Sequence, residues 1–427
     1  MWKKKSEKNS AVEKEITNST ENNNINNNNI FLFGGISSGI KKNLRKDFGI
    51  ILLPQKNQTI GFFTTNKVKS EAIERAEAIL KKNKNPKIIA VISGNAMCRY
   101  EGIEKDIKKI VSAIREEANK RKIFEYKLKD DDIILLATGK IGSKIDADKL
   151  INSVPKAFEN LKANEEDFAE AILTTDKKIK ISKYEYGKTF IIGIAKGAGM
   201  IFPEFSHATT LSFILTNANI PKEAKKKIYS LLSKTIGAVN IDFSRSTNDT
   251  SLFVFGNKEK TNEKILLTGI EKVLSELAVK IAEDGEGVRH VVKIVVNGAE
   301  SEKSARKICD MVSSSFLFKS SIGGENPDFG RVLAAVGSSG EKIGKINIFI
   351  EDDFYFSTKD KSKEKARKTE KICVVKNTKI IPENLESARK IMKKDKYTIY
   401  INIGIGKASS HILMTDLTEE YVKINKV

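Results

Sequence analysis

The sequence predicts an α/β fold in which strands and helices alternate along one long chain. Three observations carry the prediction. Short runs rich in Ile and Val recur along the chain. Amphipathic stretches with apolar residues at helical spacing separate them. Neither sustained heptads nor a repeat array competes with that alternation.

Residues 1 to 29 end in NSTENNNINNNN and lack apolar periodicity, so a disordered tail is expected: too little apolar surface is available to offset the entropy of ordering. Order should begin near IFLFGG. SEAIERAEAILKKN (70–83) sets Ile73, Ala76, Ile79 and Leu80 on one face of a helix. KIIAVIS (87–93), DIILLAT (132–138) and TFIIGIA (189–195) read as strands, as do SLFVFG (251–256), VVKIVVNG (291–298) and YTIYINIG (397–404). NEKILLTGIEKVLSELAVKIAEDG (262–285) is a longer helix, and AEDGEGVRH (282–290) marks a domain boundary after it. STKDKSKEKARKTEK (357–371) reads as a solvated loop or helix surface.

At 427 residues and 40% hydrophobic, the chain can build one large or two ordinary domains. No run reaches the about eighteen apolar residues of a bilayer span, and MWKKKSEKNSAVEKE has no apolar block behind it. Membrane insertion is therefore not expected, and the cytoplasm is the simplest address. Cys98, Cys309 and Cys373 lie far apart without CxxC spacing, and there are three histidines, which argues against a disulfide framework and a His-based metal site. The net charge of +20 is spread along the chain rather than gathered with aromatics, so nucleic acid is not the favoured partner.

Glycine and hydroxyl residues gather at strand ends: SGNAM (93–97), ATGKIGSKID (137–146), AKGAGMIFPEF (195–205) and RSTNDTS (245–251). Glycine there turns backbone N–H groups toward a ligand, and Thr or Asn adds a donor, which together can form an oxyanion hole and a substrate pocket. Each motif alone is weak, and the GxxxxGK[ST] phosphate-loop spacing is absent. HATTLSFIL (207–215) has two readings. Thr209 and Thr210 are β-branched residues opening a buried strand, or Thr209 becomes a chain terminus by cleavage after Ala208, its free α-amino group acting as base for its own hydroxyl.

Taken together, GFFTTN (61–66), SGNAM, ATGKIG, LTTD (173–176), GIAKGAGMI (193–201), HATTL, STNDTS, DGEGVRH, IGGENPDFGRVLAAVG (322–337) and DLTEEYVKIN (416–425) resemble the glutamate N-acetyltransferase, or ornithine acetyltransferase, family of the cyclic arginine pathway. The resemblance runs from about Gly34 to Asn425. It implies a layered sandwich like that of N-terminal-nucleophile enzymes, spanning residues 30–287, with a smaller C-terminal α/β domain at 288–427. It also implies self-cleavage between Ala208 and Thr209 into chains 1–208 and 209–427, associated as a heterotetramer of two each.

The activity so implied moves an acetyl group from N-acetylornithine to glutamate through an acetyl ester on Thr209, without a cofactor or metal. Acetyl-CoA as an additional acetyl donor is left open by the motifs. By the same resemblance Thr138 and Gly139 match the oxyanion-stabilising pair, and Thr174 or Thr175, Lys196, Thr209, Glu286 and Asn425 fall on substrate-binding positions. The chain departs from the family in a longer segment, EFSHA, before Thr209, and in having only Lys426 and Val427 after Asn425 where a substrate-contacting threonine is usual. Two alternatives remain: an aminopeptidase or amidase of related fold with water as acceptor, and a non-catalytic protein that uses its positive charge to bind nucleic acid.

Overall fold

The computed structural model describes residues 30–42, 44–82, 84–202, 210–356 and 371–426. The expected tail at 1–29, the Ala208–Thr209 junction and the lysine-rich residues 357–370 lie outside the described residues.

Among the described residues the first half of the chain runs β1 (Leu32–Ile36), β2 (Phe48–Leu52), β3 (Gln58–Phe63), α1 (Glu71–Lys81), β4 (Ile88–Asn95), α2 (Ile103–Lys120), β5 (Ile133–Lys140), α3 (Ala147–Glu159), α4 (Glu166–Ala171), β6 (Lys180–Tyr186), β7 (Thr189–Lys196) and β8 (Leu211–Ala218). There follow α5 (Ala224–Lys234), β9 (Val239–Asn240), β10 (Thr250–Glu259), α6 (Glu263–Glu283), β11 (Val291–Ala299), α7 (Glu302–Ser313), α8 (Phe316–Gly323) and α9 (Phe329–Gly337). The last elements are β12 (Asn347–Glu351), β13 (Lys371–Lys376), β14 (Lys379–Ile380), α10 (Leu385–Met392), β15 (Lys396–Asn402), β16 (Ala408–Thr415) and α11 (Glu419–Ile424).

The six strands expected from Ile/Val runs all form. The run read as 397–404 ends at Asn402, where the chain turns through Gly404 at φ +71°. Helix α1 starts where Ser70 Oγ accepts the Ile73 N–H at 3.3 Å, a cap worth about 1 kcal/mol, and it buries Ala72, Ile73, Ala76 and Ile79. Leu80, expected on that face, is only half-buried.

The chain divides into two compact units. The first comprises residues 1–59, 70–172 and 255–258, and the second comprises 60–69, 173–254 and 259–427. Unit one holds the sheet β1-β2-β4-β5, in which β1, β2 and β4 are antiparallel and β4 and β5 run parallel. Ile133 to Ala137 of β5 are fully buried, as a continuous apolar run requires when both faces of a strand are covered.

Unit two carries most of the sheet β3-β10-β8-β7-β6 and all of the seven-stranded sheet β14-β13-β12-β15-β11-β16-β9. Helix α6, capped by the Asn262 side chain on the Lys264 and Ile265 N–H groups, packs on β6 and β7, with Val273 and Leu277 over Gly193 and Gly269 against Tyr184 and Ile191. Every residue of β8 is buried, which explains the apolar run LSFIL. One apolar cluster of the seven-stranded sheet is built from residues between Val292 and Met414, while helix α6 packs against β9 and β16. Unit two nevertheless runs without a break through the boundary expected at 287/288, because β9 pairs with β16. Among the described residues no helix is long and apolar enough to cross a membrane.

Candidate active site

The end of β7 delivers Lys196 into a buried group of charges in unit two. Lys196 is 8% exposed. Burial, first, and then the neighbouring Lys180 draw its ammonium below the usual lysine range, while Asp176, Asp249 and Glu286 pull the other way. The next residue, Gly197, has φ +155° and donates its N–H to Asp176 Oδ1 at 2.6 Å.

Asp176 is the hub. Its Oδ1 also accepts from Lys180 Nζ at 2.7 Å, and its Oδ2 accepts the Thr174 N–H at 3.0 Å and the Thr174 hydroxyl at 3.3 Å. Burial opposes its charge, but Lys196 and Lys180 outweigh burial and hold the carboxyl well below the ordinary carboxylate range. Lys180 in turn reaches Asp284 Oδ2 at 2.5 Å, and Asp284 accepts the N–H groups of Lys177 and Lys178. One lysine thus ties the LTTD turn to the end of α6.

Glu286 follows two residues after Asp284. Its N–H donates to Ala198 O at 2.8 Å, and its carboxylate lies against Gly199 so closely that a Cβ there would stand 2.6 Å from Oε1. A methyl group at 199 would displace that carboxylate. Glu286 Oε2 accepts from Asn425 Nδ2 at 2.6 Å, and Asn425 is the exposed residue just after α11. Nearby, half-buried Asp242 accepts the Met200, Ile201 and Ser244 N–H groups and the Tyr421 hydroxyl at 3.4 Å. Burial raises the Asp242 carboxyl despite those bonds, with the charge of Glu286 adding to the rise.

Thr210, the residue after Thr209, is buried, and its Oγ1 has no hydrogen-bond partner among the described residues. A Cβ on Gly197 would come 3.0 Å from its methyl group, so Thr210 abuts the Lys196–Gly197 turn. Its carbonyl accepts the Thr250 N–H at 2.8 Å. Thr209 and Ala208 themselves lie outside the described residues, as does His207.

In unit one, Thr138 and Gly139 close β5. Thr138 is buried and Gly139 is exposed at φ +135°. Here the parallel register with β4 slips: Ser93 faces Thr138, then Asn95 faces both Thr138 and Lys140. A Cβ on Gly139 would stand 2.4 Å from the Gly94 carbonyl carbon, so the bulge is possible only with glycine. The slip ends the ladder and leaves a turn of backbone at the strand end, the kind of structure that presents N–H groups.

The structure therefore brings Thr174, Lys196, Glu286 and Asn425 into one cluster in unit two and sets Thr138 beside Gly139 in unit one. Thr175 is exposed, next to the cluster in sequence. Asp176, Lys180, Asp284 and Tyr421 escaped assignment from sequence. Asp176 stood inside the LTTD motif, and its spacing of four to Lys180 was a signal, but nothing local shows that a lysine opening a strand is 1% exposed. Chemically, a buried cation beside a buried carboxylate suits an amino acid, whose carboxylate and ammonium need opposite partners in one small space.

The chain matches the ArgJ family over residues 32–427. It is 32% identical over 417 residues to the glutamate N-acetyltransferase of Methanocaldococcus jannaschii, covering 92% of this chain and 98% of that protein. It is 33% identical to the arginine biosynthesis bifunctional protein ArgJ of Thermotoga neapolitana, covering 92% and 97%. The glutamate N-acetyltransferase of Methanopyrus kandleri is 31% identical over the same shares, 92% and 97%. Matched over residues 32–427 and covering nearly the whole of these relatives, the chain belongs to the ArgJ family.

Proposed function

We propose that the protein is a glutamate N-acetyltransferase of arginine biosynthesis, an acyltransferase that moves the acetyl group of N2-acetyl-L-ornithine to L-glutamate. The observation that carries the reading is the cluster of Lys196 with Glu286 and Asn425, a cation and an anion placed for a zwitterionic amino acid in a chain of this family.

The chain cuts itself between Ala208 and Thr209, giving chains 1–208 and 209–427. Thr209 Oγ attacks the acetyl carbonyl, its hydroxyl proton passing to its own α-amino group, and the Thr138 hydroxyl and Gly139 N–H stabilise the oxyanion. The amide C–N bond breaks, ornithine leaves with the proton, and an acetyl ester remains on Thr209. The α-amino group of glutamate then attacks that ester and restores the threonine. Lys196 pairs with substrate carboxylate and Glu286 with substrate ammonium, with Thr174 or Thr175 and Asn425 completing the contacts. Of the two described histidines, the ring of His290 contacts Lys394 O and that of His411 contacts Lys234 O, so both are engaged structurally.

Residues 30–287 form the catalytic domain and 288–427 a smaller one, a division supported by the apolar cluster that residues 292–414 build among themselves. The two chains of a precursor assemble as a heterotetramer of two each, in the cytoplasm. The test is the exchange itself with varied concentrations of both substrates. Parallel double-reciprocal lines without acetyl-CoA are expected. Hydrolysis of N-acetylornithine or of peptides without transfer to glutamate would instead point to an amidase.

A further inference from the structure

Helix α11, which carries Asn425 to Glu286, buries none of its residues and is six residues long. Neither burial nor intrinsic helix stability can hold so short a segment in place. Besides the Tyr421 hydroxyl on Asp242, its position rests on specific bonds at its entry.

Asp416, at the end of β16, supplies them. Its side chain is fully buried; Oδ1 accepts the Arg289 N–H at 3.0 Å and the His290 N–H at 3.2 Å, while its own N–H donates to His290 O at 3.2 Å. Three bonds therefore join the segment just after Glu286 to the segment just before α11. Two further contacts extend the joint. Thr418 Oγ1 donates to Gly287 O at 2.6 Å, and Gly287, at φ +70°, lies so near α11 that a Cβ would stand 2.4 Å from Tyr421 N. Behind it, buried Lys319 donates to Thr415 O, and Leu417 N–H donates to Lys319 O at 3.2 Å. Arg289 closes the back of the joint with a 2.6 Å bond to Gly323 O.

We infer that Asp416 is a positioning residue for the amino-acid site, fixing the 286–290 segment to the C-terminal segment so that Glu286 and Asn425 meet at 2.6 Å. The inference rests on the reading of Glu286 and Asn425 as substrate-binding residues. Asp416 touches no substrate; it acts by setting the distance between two groups that do.

The experiment compares wild type, Asp416→Asn, Asp416→Ala and Thr418→Val as full-length purified proteins. L-ornithine and L-glutamate binding are measured by calorimetry, and KM and kcat of the exchange are measured on the folded fraction verified by circular dichroism. Asparagine keeps an oxygen that accepts both N–H groups; alanine keeps none. Asp416→Ala should weaken ornithine binding and raise KM by about ten- to a hundred-fold, the scale of misplaced binding groups, with Asp416→Asn close to wild type and Thr418→Val between them. A residue that served stability alone would lower the unfolding midpoint and leave affinity of the folded protein unmoved, and that result overturns the inference. So does an Asp416→Asn variant as impaired as Asp416→Ala, which would make charge rather than the joint decisive. If Asp416→Ala does not fold, unchanged affinity in Thr418→Val is the overturning result and weakened affinity the supporting one. A wild-type protein that binds neither amino acid overturns the substrate-site reading and the inference together, whereas a wild type that binds and an Asp416→Ala that binds equally overturn the inference alone.

Discussion

Two strands, β5 in unit one and β7 in unit two, end alike in sequence, each running from an apolar core into a glycine at positive φ, and the structure gives them opposite characters. At Gly139 the strand end is backbone: a bulge against Gly94 and Asn95, shaped by the absence of a Cβ. At Gly197 it is charge: Asp176, Lys180, Asp284 and Lys196, all nearly inaccessible to water. The difference teaches that a glycine after a strand specifies only that something must approach the backbone closely. Neutral N–H groups suit charge that develops during a reaction, whereas fixed buried ions suit charge the ligand brings with it.

If that contrast is right, the two strand ends should fail in different ways. The largest effect is expected from Lys180→Met, which leaves Asp176 and Asp284 without their common partner. Breaking such a buried pair costs about 3–5 kcal/mol, and urea unfolding should show it directly. A stability within about 1 kcal/mol of wild type would mean that the network is not structural. At the other strand end, Thr138→Val should lower kcat by about 10²–10³-fold, the scale of losing one oxyanion donor, with little change in the unfolding midpoint. Steady-state kinetics beside a melting curve separates the two cases.

Smaller is the expected outcome of Gly199→Ala, whose new methyl group meets the Glu286 carboxylate. About 1–3 kcal/mol of overpacking should appear, with KM rising more than kcat falls. A separate effect concerns pH. Burial pushes the Lys319 ammonium down to about 7 against the attraction of Asp416 and Asp242. Between that value and the ordinary lysine range the unfolded chain binds more protons than the folded one, so this lysine makes stability rise with pH across that window. Lys319→Met should flatten the rise, read as urea midpoints from about pH 7 to 10.

The strands were legible because Ile/Val runs such as KIIAVIS need no context to be apolar, and α1 was legible from its apolar stripe. The ends of elements were less so, as at Asn402, where a turn through Gly404 cuts short a run that stays apolar to Ile403. Lys196 and Glu286 could be singled out only through resemblance, since in a chain that is 30% charged a lone lysine is ordinarily solvated. What sequence could not give was the partnership of residues far apart in the chain: Lys180 with Asp284, Glu286 with Asn425, Asp416 with Arg289 and His290. These are products of tertiary contact, and no local spacing encodes them.

The central claim is that Thr209 becomes the acetyl-carrying terminus. Intact mass measurement of the purified full-length protein under denaturing conditions, before and after brief exposure to N2-acetyl-L-ornithine alone, tests it most directly. The account predicts two chains, one beginning at Thr209, and a gain of one acetyl group on that chain alone, reversed by L-glutamate. A single uncut chain, or an acetyl group found elsewhere, would contradict it.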